Sequence, residues 1–269
     1  MKKIILLMIL SGAALAAAGQ VTETRAVSGF TGISASNVFD ITVTKGAAES
    51  LVITADEKVM PYVRSEVRNG VLKLYLDNDH RPKHMDVNNL KAAVTVKELE
   101  TVKLSGACKL TSDAVFTPAQ FEVGLSGASS LQLAVETGKL SLEVSGASKV
   151  TLNATVKEEA EFDLSGATKV QSKLRARRLE VDMSGACNVS LSGSANEAFF
   201  DLSGASKIDA GDFTINKATV ESSGGTNITL NVEETLLVRS SGSSRIRYKG
   251  SPKTFDVKTS GASSLGKIE

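Results

Sequence analysis

The chain contains no tryptophan, and Phe, Tyr and Trp together make up only 4% of it. That is low for a core built on large rings. It excludes a membrane barrel, whose two interfaces carry aromatic girdles. Histidine occurs twice, which leaves little material for imidazole catalysis or imidazole metal ligation. An excess of charge of one sign is also missing, since 31 Lys and Arg stand against 30 Asp and Glu. A near-neutral chain has no global basic field to hold nucleic acid. Beyond the N-terminal segment no long apolar run occurs, so no transmembrane segment is expected in the mature chain.

The N-terminal segment has its own logic. Lys2 and Lys3 precede "IILLMIL", and "SGAALAAAGQ" follows. A positive start, a short apolar stretch and small residues make a secretory signal peptide. Cleavage is expected after Ala16 or Ala18, so residues 1–18 are assigned to the signal. No cysteine lies near that site, so lipoprotein processing is not expected. The expected location is the periplasm, the cell surface or the extracellular space.

What the sequence has in abundance is one short phrase. "FDLSGATKV" at 162–170 returns as "VDMSGACNV" at 181–189 and as "FDLSGASKI" at 200–208. "SGA" or a close variant places its glycine at Gly106, Gly127, Gly146, Gly166, Gly185, Gly204, Gly224, Gly242 and Gly261. The mean spacing is about 19 residues, a period in the solenoid range. The flanking columns are stronger evidence than the three letters. Three residues before the serine every unit is apolar, from Val102 through Phe162 and Val181 to Val257. Five after it every unit is apolar again, from Leu110 through Val170 to Leu265. Three after it stands a small residue, such as Cys108, Ser148, Thr168 or Cys187.

Apolar and polar positions therefore alternate on both sides of a glycine turn, which reads as strand, sharp corner, strand. Glycine suits the corner because it reaches positive φ without a steric penalty. The arrangement that sets like residues above like is all-β, a parallel β-helix (β-solenoid) of about nine coils, each strand pairing with its copies above and below. A lone coil cannot stand. Two buried aliphatic side chains contribute ~3–6 kcal/mol, whereas ordering ~19 residues costs ~20–40 kcal/mol of backbone entropy. Stacking has to supply the rest. Before Leu99 the register is lost. Residues 19–98 are expected to form irregular first coils and an N-terminal cap, continuous with the repeat region 99–269 as one domain. Cys108 and Cys187 hold the same place four coils apart, or ~19 Å at ~4.8 Å per strand. That exceeds the ~7 Å reach of a disulfide.

Candidate chemistry is sparse. His80 and His84 lie in the polar stretch "DNDHRPKHMDVNN" with Asp77, Asp79 and Asp86. Pro82 between them opposes a helix that would aim both at one metal ion, so an exposed loop is the plainer reading. The turn serines have no repeating histidine beside them and read as structural. Cys108 and Cys187 read as packing atoms. No catalytic residue and no cofactor is expected. One surface column stands out. Two residues before the serine lie Glu143, Asp163, Asp182, Asp201 and Glu221, flanked by Lys103 and Gly124 on one side and Arg239 and Lys258 on the other. Stacked coils would set these five carboxylates ~4.8 Å apart. Their repulsion of ~0.9 kcal/mol per exposed pair needs an offset. One source is the basic column across the turn, Lys149, Lys169 and Lys207, together with solvent and salt. Another is a row of Ca²⁺ ions, which favour hard oxygen ligands.

"RAVSGFTGISASNVFDITVTKG" (25–46), "SEVRNGVLKLYL" (65–76) and the SGA coils together resemble the bacterial DUF2807 family, described as "putative auto-transporter adhesin, head GIN domain". The resemblance implies a single-stranded right-handed parallel β-helix, akin to pectin-lyase-like folds, and a role in adhesion. It carries over no functional residue. The chain departs from some relatives in lacking a lipobox cysteine, and from trimeric adhesins in lacking a coiled-coil stalk.

The function expected is an exported non-enzymatic scaffold or adhesin that binds a protein or glycan at the cell envelope. The oligomeric state is left open. Two other readings are a polysaccharide-active enzyme on the β-helix and a calcium-stabilised structural module. The enzyme would need carboxylates, basic groups and aromatic platforms clustered on one face. Tyr62, Tyr75 and Tyr248 are the only tyrosines available for that.

Overall fold

Alternating β-branched and polar residues favour extended backbone, and the computed structural model of the chain is strand through most of its length. It describes residues 19–82 and 84–268; the expected signal peptide, residues 1–18, lies outside them. The N-terminal third holds β1 (Gln20–Arg25), β2 (Gly32–Ala35), β3 (Asp40–Lys45), β4 (Ser50–Asp56), β5 (Val63–Arg68), β6 (Val71–Leu76) and β7 (Lys91–Val96). The coils follow as β8 (Thr101–Leu104), β9 (Lys109–Phe116), β10 (Gln120–Leu125), β11 (Ser130–Val144), β12 (Lys149–Leu164), β13 (Lys169–Met183) and β14 (Asn188–Leu202). The last are β15 (Lys207–Ser222), β16 (Asn227–Ser240), β17 (Arg245–Lys249), β18 (Thr254–Thr259) and β19 (Ser264–Lys267). All nineteen belong to one hydrogen-bonded sheet.

From β8 onward every pairing is parallel, and the register is the one the columns imply. Leu142 lies opposite Phe162, Phe162 opposite Val181, and Val181 opposite Phe200. The chain is thus an all-β parallel solenoid of about nine coils. Each full coil is one long strand that wraps around a buried axis. In β12 the side chains of Val150, Leu152, Ala154, Val156, Ala160, Phe162 and Leu164 all point inward and are buried. The second corner of the coil has no turn residues. It falls at Val156/Glu159, where the ladder of β12 shifts register. Such bulges absorb the difference between 19- and 20-residue coils, because an extra residue bends the strand without ending its pairing.

The repeat begins one coil earlier than its sequence signature. Gly32–Ala35 pairs in parallel with Thr101–Leu104, and Asp40 pairs with Lys109. Ser36-Asn37-Val38 therefore occupies the corner below Ser105-Gly106-Ala107. Asn37 has φ +76°, and asparagine is the L-residue that best tolerates that region. Its side-chain oxygen accepts the Leu76 N–H at 3.0 Å, so the first corner carries a side chain that also closes the coil beneath. The register was illegible here because Asn, Val and Phe39 replace Gly, Ala and the small residue of later corners.

The N-terminal end is covered by a change of strand direction. β5 runs antiparallel on β6, β4 antiparallel on β7, and β1 antiparallel on β4. A short 3₁₀ turn, Met60–Tyr62, joins β4 to β5 and buries Met60 with its neighbours Val59 and Val63. The irregular N-terminal segment is thus a cap of antiparallel strands on a parallel stack.

Candidate functional site

The Ser-Gly-Ala corners stack backbone on backbone. In each interval the alanine-position N–H donates to the carbonyl of the preceding glycine, as Ala147 to Gly127 at 2.7 Å and Ala167 to Gly146 at 2.8 Å. The nine turn glycines have φ between +69° and +96°. At Gly166 a Cβ would also lie 2.6 Å from the Gly146 carbonyl oxygen. Both the dihedral and the closeness of the next coil therefore require glycine.

The small column after the corner does more than pack. Ser129 Oγ donates to the Ser126 carbonyl at 2.9 Å, Ser148 to Ser145 at 3.0 Å, and Ser206 to Ser203 at 3.1 Å. Cys187 Sγ donates to the Ser184 carbonyl at 3.2 Å. The side chain closes its own corner. Thr168 and Thr226 keep the hydroxyl without a partner. The signal was present in the sequence, since all nine positions carry O–H or S–H and none is Ala or Gly. Cys108 and Cys187 are free and buried, and burial pushes the Cys108 thiol up.

Outside this corner runs a groove of about 920 Å³. One wall is the predicted acidic column and the other is the row of turn serines, Ser126, Ser145, Ser165, Ser184 and Ser203. Glu143, Asp163, Asp182, Asp201 and Glu221 lie in register on consecutive coils. The same column continues through Arg239 to Lys258 at one end, and through Gly124 to Lys103 at the other. A smaller groove of about 470 Å³ prolongs it past Arg239 and Lys258. The face is thus acidic along its middle and basic at both ends.

Among the described residues none of the five carboxylates forms an ion pair within 4 Å. Lys149, Lys169 and Lys207 are exposed across the corner. None of them forms an ion pair with the ladder among the described residues. That basic column therefore offers the ladder no direct ion pair among the described residues. Six residues of chain and the corner itself put the two columns on different faces. Burial first, then the neighbouring Asp163, Glu180 and Asp201 charges, hold the Asp182 carboxyl above the ordinary aspartate range. Burial followed by Asp163, Glu180, Glu159 and Asp182 does the same for Glu161. Two columns away the chain handles charge differently. Lys139, Glu159, Arg178, Glu197 and Lys217 alternate in sign from coil to coil. There Arg178 meets Glu159 at 2.9 Å and Lys217 meets Glu197 at 3.5 Å.

The other candidates stay apart from this face. His80 is 77% exposed and sits 3.0 Å from Asp77, which also pairs with Arg64 at 2.9 Å. The His80 hydrogen bond, followed by that of Arg64, holds the Asp77 carboxyl low. His84 is exposed. Among the described residues no three His, Cys, Asp or Glu side chains converge closely enough to hold a metal ion. Nor is any helix among them long and apolar enough to cross a membrane.

The family model described as "Putative auto-transporter adhesin, head GIN domain" (DUF2807) matches residues 29–172 and 155–252. Among solved structures, one described as a "putative adhesin" from Parabacteroides merdae is 20% identical, with TM-score 0.73, over 94% of this chain and 97% of that one. A "putative adhesin" from Parabacteroides distasonis is 20% identical with TM-score 0.70, over 93% of this chain and 97% of that one. A "putative lipid binding protein" from the same species is 20% identical with TM-score 0.63, over 94% and 98%. At this identity the likeness is one of fold. No curated protein matches the chain.

Proposed function

The chain belongs to the DUF2807 family, and from that premise we propose that it is an exported, non-enzymatic, adhesin-like binding module of the cell envelope whose binding face is the acidic groove at the Ser-Gly-Ala corner. One observation carries this reading. The same solenoid alternates charge along one outer column and repeats negative charge five times along another. Burial, and after it the repeated charge, raises the Asp182 pKa and so costs stability at neutral pH. Local rules are broken where function requires it and kept elsewhere. A row of carboxylates beside a row of hydroxyls, spaced at ~4.8 Å, suits an extended ligand that offers cationic groups or many hydrogen-bond donors. Envelope glycans and basic protein segments both have that chemistry.

The test is a glycan and peptide array probed with the wild type and with the double variant Asp163→Asn/Asp182→Asn. Binding that falls at least tenfold in the variant, with an unchanged circular dichroism spectrum, supports the groove. Equal binding by both moves the site elsewhere. A polysaccharide-depolymerisation assay on the array hits tests the non-enzymatic reading, which cleavage by the purified protein overturns. Protease shaving of intact cells tests surface exposure.

A further inference from the structure

The two ends of the solenoid are built differently. At the N-terminal end the antiparallel strands β1 and β5 present charged edges. Glu23 pairs with Arg25 at 2.6 Å and Glu66 with Arg68 at 2.8 Å, the kind of edge that resists further strand addition. At the C-terminal end β18 pairs only with β16, and β19 only with β17. Their outer edges have no partner among the described residues. Phe255 continues the inward column of Ala218 and Leu236, which are at most 1% exposed, yet it is itself 47% exposed. Val257 and Leu265 continue the Val238 and Ile246 columns and are likewise only half-buried. Among the described residues no further coil covers these side chains.

We propose that this open end pairs with the open end of a second copy of the chain, through antiparallel addition of β18 to β18 centred on Val257. The edge is complementary to itself in that register. Side chains alternate, so Phe255, Val257 and Thr259 share the inner face while Asp256 and Lys258 share the outer one. Two-fold pairing about Val257 sets Phe255 against the partner subunit's Thr259, and Val257 against the partner subunit's Val257. It also sets Asp256 against the partner subunit's Lys258, and Lys258 against the partner subunit's Asp256. Opposite charges directly across an antiparallel pair are favourable and like charges are not. The parallel stack accepts an antiparallel strand at its end, as β4 on β7 and β5 on β6 demonstrate. A two-fold contact uses the same surface twice and closes, so the product is a dimer. It covers Phe255 and Val257 of both copies, and it leaves outside the contact the residues that line the larger acidic groove.

Sedimentation velocity of the purified protein from about 1 to 100 µM is expected to show a monomer–dimer equilibrium. Lys258→Glu places a glutamate against the partner subunit's Asp256 and should weaken the dimer at least tenfold. Within its own chain the change removes the like-charge neighbour of Arg239, which lies 3.8 Å from Asp256, and an unchanged circular dichroism spectrum and melting temperature exclude misfolding as the cause of such a loss. The swap Asp256→Lys/Lys258→Glu should restore dimerisation to within about threefold, because the pairing rule is the same with signs exchanged. Val257→Cys should form a disulfide-linked dimer on oxidation, since opposed Cα atoms in antiparallel strands lie ~4.5–5.5 Å apart. Three outcomes overturn the proposal. They are a wild type that stays monomeric at about 100 µM, a dimer indifferent to Lys258→Glu, and open-ended filaments in place of a closed species.

Discussion

Asp182 is one coil from Asp163 on one side and one coil from Asp201 on the other. At ~4.8 Å and a water-like dielectric each neighbour repels it by ~0.9 kcal/mol. A screening length of ~8 Å at physiological salt reduces each pair to roughly half. Asp182→Asn keeps the shape, removes one charge and relieves two pairs, so it should stabilise the fold by about 1 kcal/mol at pH 7. For a chain of this size that is a rise in Tm of ~2–4 °C. The pH dependence follows from the sign of the shift. The folded pKa of Asp182 lies above its unfolded value, so the folded state binds the proton more tightly. The penalty is therefore full above the folded pKa and fades as pH falls toward the unfolded one. Thermal melts at low salt should show a gain at pH 7, a smaller gain near pH 4 and, in 1 M NaCl, only the part that comes from burial of the carboxylate. If groove binding falls while Tm rises, the ladder exchanges stability for function. A variant that melts lower than wild type, or whose gain ignores salt, would show that repulsion along the column is not what the charges do.

Gly166→Ala forces a Cβ to positive φ and toward the Gly146 carbonyl; it should cost about 3 kcal/mol, read by chemical denaturation. Cys187→Ser keeps a donor for the Ser184 carbonyl, as Ser148 and Ser206 do in their coils, and should stay within ~1 kcal/mol of wild type. Cys187→Leu overfills the same site and should cost ~1–3 kcal/mol. The calcium reading of the ladder predicts a Tm rise in millimolar Ca²⁺ that exceeds the rise in NaCl of equal ionic strength. Equal rises would reduce the ion to a screening counterion.

The columns from Val102 to Val257 and from Leu110 to Leu265 were legible because each coil meets nearly the same neighbours, so the same requirement is written nine times. The corner at Ser36-Asn37-Val38 was not, because the first coil has no earlier corner beneath it and so escapes the need for glycine. The acidic column was legible residue by residue. Its lack of direct ion pairs was not, since Lys149 and Lys169 lie only six residues along the chain from it and yet make no close contact with it among the described residues. The hydroxyl that closes each corner was visible as a column of donors, but a small residue also satisfies packing, and the pattern alone does not separate the two.

Local alternation and a period of about 19 residues were enough to dictate strands, corners, inward faces and a stack, since those depend on the pleat and on contact with the next copy. The angle between faces at each corner, which brings serines and carboxylates to one groove, belongs to the closed coil. So does the end condition, where the same columns that are buried in the inner coils are left partly facing water at Phe255, Val257 and Leu265, because no described strand is stacked on them.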